Sequence, residues 1–424
     1  MLNKYKKISA LTIIMLIAIS VFGQNTTSPF SMYGIGDISN SGFARNLSMG
    51  GLTSSLYSPY HLNPGNPATY SAIGQNSFIF EIGATAKYLK LNTPKTEFDD
   101  FNANFSYIAI GFPVTKWWKA GVGLLPLSNI GYTIQENIVM DYDGSELTNT
   151  YTGEGGITNF YFDNSFKILK SLSIGVKLSY SFGPLVYKRV SASVNESSSS
   201  YIIRKDKANI SSFNYKTGIH FHRKLSDKLF LNLGATYGIE SELKATDHLF
   251  IINSVTRSSG SSLVDTLKDE IIHEGFLELP QSYSVGASLL INKKLELGVD
   301  YSKADWSESK YFGEDQNLAD MERFMFGAEF TPDYTAISYL KIIRYRLGAN
   351  LSKSYMVYEG SQLQSYEITA GVGLPLKRTP SIVNFALSYQ KRSIPGIENL
   401  YENYFSFQFN MSLHAIWFKK RKWE

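Results

Sequence analysis

Residues 405–417 alternate almost without error between apolar and polar side chains. One set is Phe405, Phe407, Phe409, Met411, Leu413, Ala415 and Trp417; the other is Ser406, Gln408, Asn410, Ser412 and His414. A period of two sends these sets to opposite faces of a strand. Strands of soluble sheets usually run about 5–6 residues, whereas a tilted strand crossing a bilayer needs about 9–11. A strand this long, with so aromatic a face, predicts a wall that meets lipid.

The same alternation recurs along the chain. Phe78, Phe80, Ile82, Ala84, Ala86 and Tyr88 oppose Glu81, Gly83, Thr85 and Lys87. Leu172, Ile174, Val176, Leu178, Tyr180 and Phe182 oppose Ser173, Gly175, Lys177, Ser179 and Ser181. Leu295, Leu297, Val299 and Tyr301 oppose Glu296, Gly298, Asp300 and Ser302. Read throughout, the pattern gives about fourteen strands. The connections are expected to alternate between short links, such as 114–117, 169–171, 292–294 and 376–381, and long polar ones at 91–100, 135–155, 191–209 and 240–279. Short periplasmic turns, longer extracellular loops and an even strand number belong to outer-membrane barrels. The expected fold is therefore all-β: a transmembrane antiparallel β-barrel of about 14 strands. A soluble sandwich would bury its inner faces and carry compact loops; here one face of each strand carries Lys, Glu, Asp and Arg.

The first residues suggest how the chain reaches a membrane. Lys4, Lys6 and Lys7 precede an uncharged apolar run over residues 8–22, and Val21 and Gly23 stand before a cleavage point ahead of Gln24. This is the layout of a secretory signal peptide over residues 1–23, and the run is shorter than the ~20 residues of a spanning helix. Without the three lysines of this leader, 38 basic residues face 37 acidic ones. Near-neutrality gives no support to nucleic-acid binding. The absence of Cys excludes a disulfide framework and a lipidated N-terminus. The 28 Tyr and 27 Phe suit the aromatic girdles of a barrel. The expected location is the outer membrane of a Gram-negative cell.

Residues 24–74 do not alternate. They are rich in Ser, Asn, Gly and Pro, with Met49, Leu52, Leu56, Tyr57, Tyr60 and Leu62 as anchors. A fourteen-strand lumen is either filled or open, so the segment is expected to be a plug inside a barrel spanning residues 75–418, with residues 419–424 as a basic periplasmic tail. The succession Ala44-Arg45, Met49-Gly50-Gly51 and Asn66-Pro67-Ala68 before the first strand resembles the N-terminal hatch of the FadL/TodX family. Gly121-Val122-Gly123-Leu124-Leu125-Pro126 is similar to that family's glycine and proline pattern in the third strand. The resemblance implies fourteen strands, a hatch, and passive uptake of hydrophobic small molecules such as long-chain fatty acids. It implies an apolar ligand held by plug residues Met49, Leu52 and Leu56 and by Leu124 and Leu125 of the wall.

Proline removes a ladder donor, so within sheets it belongs at edges or bulges. Pro126 is expected either at a strand kink, which in the family opens a lateral exit into the bilayer, or at the start of a loop. The basic sequence Lys419-Lys420-Arg421-Lys422 departs from the family's usual ending at an aromatic strand residue. No Gly-x-Ser-x-Gly elbow occurs, and the Gly-x-Gly pairs lack a strand–helix context. His220 and His222 share a strand face, a spacing open to a metal, but they are read as polar lumen residues. No enzyme, metal or cofactor is expected. The partners are the bilayer and a hydrophobic ligand. The alternative is a non-transporting barrel of the same shape, a structural subunit of an outer-membrane protein assembly or export complex.

Overall fold

A computed structural model of the chain describes residues 28–94, 96–139, 146–195, 198–257 and 262–416. The expected signal peptide and basic tail lie outside the described residues. A 3₁₀ turn at Pro29–Met32 comes first, followed by a two-residue strand, β1 (Asp37–Ile38), and a helical turn at Ala44–Leu47. The wall then begins with β2 (Ser77–Asn92), β3 (Glu97–Pro113), β4 (Trp118–Val139), β5 (Glu146–Lys167), β6 (Leu172–Asn195) and β7 (Ser198–Ser226). One upward pass combines β8 (Leu229–Gly238) with β9 (Ser241–Arg257), and one downward pass combines β10 (Ser262–Leu279) with β11 (Ser282–Ile291). β12 (Leu295–Ala304) follows, then two short outer strands, β13 (Lys310–Tyr311) and β14 (Glu314–Asp315). The wall ends with β15 (Met321–Phe330), β16 (Arg344–Tyr358), β17 (Ser361–Pro375), β18 (Ile382–Ser393) and β19 (Tyr401–Ile416). These make fourteen antiparallel passes, and β19 closes on β2 from Tyr401↔Asn92 to Ile416↔Ser77.

The two faces follow the sequence pattern. On β19, Phe405 and Phe407 point outward, 53% and 43% exposed, while Ser406, Asn410 and Ser412 are buried inside. On β12, Leu297 and Val299 face out while Glu296 and Asp300 are buried in the lumen. An apolar outer band and a polar interior match a barrel in lipid.

The expected long loops are mostly strand. Among the described residues of 135–155, 191–209 and 240–279, β4 to β7, with β9 and β10, continue and stay paired, for example Leu147↔Ser193 and Asn209↔Thr246. β7 alone has 29 residues, about 95 Å of extended chain. Elsewhere the link at 91–100 shrinks to residues 93–96, and a hairpin turn at Glu359-Gly360, with φ of 48° and 77°, replaces the link at 354–365. The reason is physical. Above the bilayer both faces of a strand meet water, so alternation fades although the backbone ladder persists.

The wall has one weak seam. β2 and β3 pair up to Asn92↔Glu97, and β4 and β5 pair up to Val139↔Glu146. β3 and β4, however, pair only from Pro113↔Lys119 to Ile108↔Leu124. Beyond Leu124, β4 pairs inward with β1, at Ile38↔Ser128 and Asp37↔Asn129. Pro126 lies inside β4 beside a bulge between Pro126 and Ser128. There, on the seam, its missing N–H costs no hydrogen bond to β3.

Candidate functional site: the plugged lumen

Residues 28–76 thread the lumen, and the wall is shaped to receive them. Gly298, Gly327 and Gly348 are cross-strand neighbours on β12, β15 and β16. A Cβ on Gly348 would lie 2.1 Å from the Gly50 nitrogen, and one on Gly327 2.4 Å from the Met49 carbonyl. Gly50 itself sits at φ +71°, and a Cβ there would meet the carbonyls of Phe326 and Ala349 at 2.5 Å. Across the barrel, Gly175 and Gly218 are paired and receive Pro67-Ala68 and Asn66. These glycines are required by close approach of plug backbone to wall.

Charged side chains then lock the plug. Arg45, on the helical turn, donates to Glu296 at 2.7 Å and to Glu329 at 3.1 Å. Arg346 donates to Glu329 at 2.6 Å and to Asn384 at 2.7 Å. All four charged groups are buried. Asp300 accepts from the Thr53 and Ser54 amides at 2.7 and 2.6 Å and from the Ser55 hydroxyl at 3.0 Å. Glu81 accepts from the Leu62 amide at 2.8 Å and from Ser412 and Asn410. Lys177 donates to the Pro64 carbonyl and lies 3.7 Å from Asp163. Higher up, Arg392 grips Asp37 with both terminal nitrogens, at 3.1 and 2.9 Å. Buried charges persist when paired and hydrogen-bonded, and here each pair joins plug to wall or neighbouring strands.

The plug motif explains itself in this geometry. Arg45 supplies the lock, Ala44 donates its amide to the Tyr107 hydroxyl at 3.0 Å, and Gly50 and Gly51 turn the chain along β15 and β16. Asn66 donates to the Ser54 and Ile219 carbonyls and accepts from the Ala68 amide, while Pro67 opens a 3₁₀ turn. His220 and His222 stack on Tyr57, with ring centroids at 4.5 and 5.0 Å. Among the described residues no cluster of three or more metal-ligating side chains occurs.

The apolar residues expected to hold a ligand fall into two groups, of which Leu124 and Leu125 line one cavity and Met49, Leu52 and Leu56 do not reach it. Met49, Leu52 and Leu56 are fully buried against Met325. Leu125 belongs to a second cluster with Phe43, Leu62, Tyr70 and Tyr107. Leu124 is 37% exposed at the seam. Above the plug, nineteen buried apolar residues, among them Phe30, Ile35, Trp306 and Tyr355, form a third cluster that joins the plug's start to the extracellular strands. Between plug and wall lies a cavity of about 410 Å³. Lys87, Arg323, Glu367 and Arg392 line it, and it reaches Phe105 and Pro126 at the seam. Its lining mixes these charged groups and neutral polar side chains with apolar ones, among them Leu47, Leu124 and Leu125.

The lumen charges of both signs, Glu81, Lys177, Glu296, Asp300, Glu329 and Arg346 among them, are legible in the strand pattern as partners for one another or for the plug, whereas the glycine row and the role of Arg45 are not. The row has a signal of its own: glycine recurs at the lumen-facing middle of successive strands, beside the buried acids Glu81, Asp300 and Glu329.

A family model described as BamG matches residues 4–424, and the chain belongs to that family. No curated protein matches the sequence. Among solved structures, the Pseudomonas putida toluene transporter TodX is 15% identical with a TM-score of 0.58, over 89% of this chain and 99% of that one. A Pseudomonas aeruginosa FadL homologue is 11% identical with a TM-score of 0.57, over 90% and 99%. The Ralstonia pickettii toluene transporter TbuX is 13% identical with a TM-score of 0.54, over 88% and 98%. The fold is thus that of FadL-like barrels.

Proposed function

We propose that this member of the BamG family is a sealed, FadL-shaped barrel that serves as a membrane-embedded subunit of an outer-membrane protein assembly. The observation that carries the reading is the state of the lumen. Most of its buried apolar residues are packed against one another, four charged side chains project into the remaining cavity, and the plug is pinned by buried ion pairs. Pockets for drug-sized ligands are lined predominantly by apolar side chains with a small number of polar groups, whereas Lys87, Arg323, Glu367 and Arg392 all line this one. The apolar surface lies outside instead. On β10 every residue from Leu263 to Ile271 is exposed, including Leu263, Val264, Leu267 and Ile271 at 64%, 66%, 54% and 51%. Such a projecting, partly apolar strand marks an interaction surface.

A second reading rests on the seam. The unpaired stretch between β3 and β4 at Pro126 is open to the cavity, and the same fold serves hydrocarbon channels. On that reading an apolar molecule such as a long-chain fatty acid leaves sideways past Leu124 and Leu125.

Purification of the full chain in mild detergent, paired with acyl-chain uptake in cells lacking it, separates the two. A stoichiometric protein complex and unchanged uptake support the assembly subunit. A lone barrel carrying acyl ligand, with an uptake defect in the deletion strain, overturns it in favour of the channel.

A further inference from the structure

The outer wall carries a second feature that the lumen does not use. Two lipid-facing rows cross β11, β12, β15 and β16: Ala287, Val299, Phe326 and Ala349, then Leu289, Leu297, Ala328 and Leu347. Alanines among larger residues, over the glycine row that seats the plug, leave an open apolar groove of about 720 Å³. The wall is thin here because the plug approaches from within.

Directly below the groove, at the short-turn end, stands a row of cations. Asn292 and Lys293 form the β11–β12 turn at φ of 52° and 57°. That left-handed pair is the place for Asn-Gly, so a lysine in the glycine position is a strained choice. Backbone hydrogen bonds bind this turn to its neighbours: the Asn292 amide donates to the Lys228 carbonyl, the Thr331 amide to Lys294, and the Asp333 amide to Lys341. Lys228, Lys293, Lys294 and Lys341 thus share one stretch of rim, all exposed. None makes an ion pair within 4 Å among the described residues; Asp227 pairs with Lys224, and Asp333, held by the Thr335 amide and hydroxyl, offsets part of the charge of Lys294 and Lys341. From Lys293 to Leu297 is four residues, about 13 Å along a strand. That is the separation between a phospholipid's headgroup and the middle of its acyl chain.

We propose that this face binds an anionic phospholipid of the periplasmic leaflet. An acyl chain lies in the groove over Leu297 and Ala328, and its phosphate sits on Lys293, Lys294 and Lys341. The groove is what selects lipid over an acidic protein, which would need the cations and not the apolar channel above them. Each basic side chain near an anionic surface strengthens binding about fivefold.

The test uses the purified full chain incubated with equal phosphatidylglycerol and phosphatidylethanolamine and examined by native mass spectrometry. Retention of phosphatidylglycerol at least about tenfold above phosphatidylethanolamine is expected. Lys293→Gln/Lys294→Gln/Lys341→Gln should abolish the preference. Ala328→Phe, which fills the groove without touching charge, should weaken retention of the same lipid. Heat-modifiable mobility on gels reports that each variant is folded. Equal retention of both lipids, indifference to Ala328→Phe, or equally tight binding of water-soluble glycerophosphate would overturn the proposal. So would an acidic protein, in place of lipid, bound through the same lysines.

Discussion

Replacing Arg45 by Ala probes the plug lock most directly. Wild-type Arg45 spans Glu296 on β12 and Glu329 on β15, and all three are buried. In the variant Glu329 keeps Arg346, at 2.6 Å, but Glu296 keeps only the Ser288 hydroxyl, at 3.2 Å. Removing one member of a buried pair typically costs about 3–5 kcal/mol, because the partner charge stays desolvated and unpaired. If that cost falls on plug docking, the undocked population rises by roughly two to four orders of magnitude. Single-channel recording in planar bilayers should then show frequent openings, and limited proteolysis should cut residues 40–70 faster. Glu296→Gln removes the stranded charge, so the double variant Arg45→Ala/Glu296→Gln should recover part of the loss. Wild-type conductance and protease resistance in Arg45→Ala, or strictly additive single and double effects, would refute the lock.

Three further outcomes are expected. Val299→Arg places a charge on the lipid face at mid-strand and should destabilise the barrel by about 2–4 kcal/mol in urea unfolding from lipid, with Ser302→Ala nearly silent. Gly348→Leu should keep the wall folded yet unseat the plug, read as raised small-solute leakage like that of a chain lacking residues 41–70, because the new side chain would occupy the Gly50 backbone. Leu263→Asp/Leu267→Asp, on exposed β10, should change stability by under about 0.5 kcal/mol while releasing the partner from a purified complex.

Period-two alternation alone determined the wall: it gave the strand number, the lipid-facing sets on β12 and β19, and the inward placement of Glu296 and Asp300. That is possible because a strand's faces are fixed by local geometry, and lipid and lumen impose opposite chemistry on them. The extracellular extension escaped the same reading, since water on both faces erases the alternation while the ladder continues. The plug motif was legible as a string of residues but not as a set of contacts. Arg45 meets Glu296 and Glu329 across 251 and 284 residues of sequence, and Gly50 meets Gly348 only because both backbones come within van der Waals range. Of the five apolar residues expected at one ligand site, the tertiary structure packs Met49, Leu52 and Leu56 together against Met325 and places Leu124 and Leu125 on the cavity beside the seam. Hydrophobicity says that such residues leave water; only the packed fold decides whether they leave it for a ligand, for lipid or for each other.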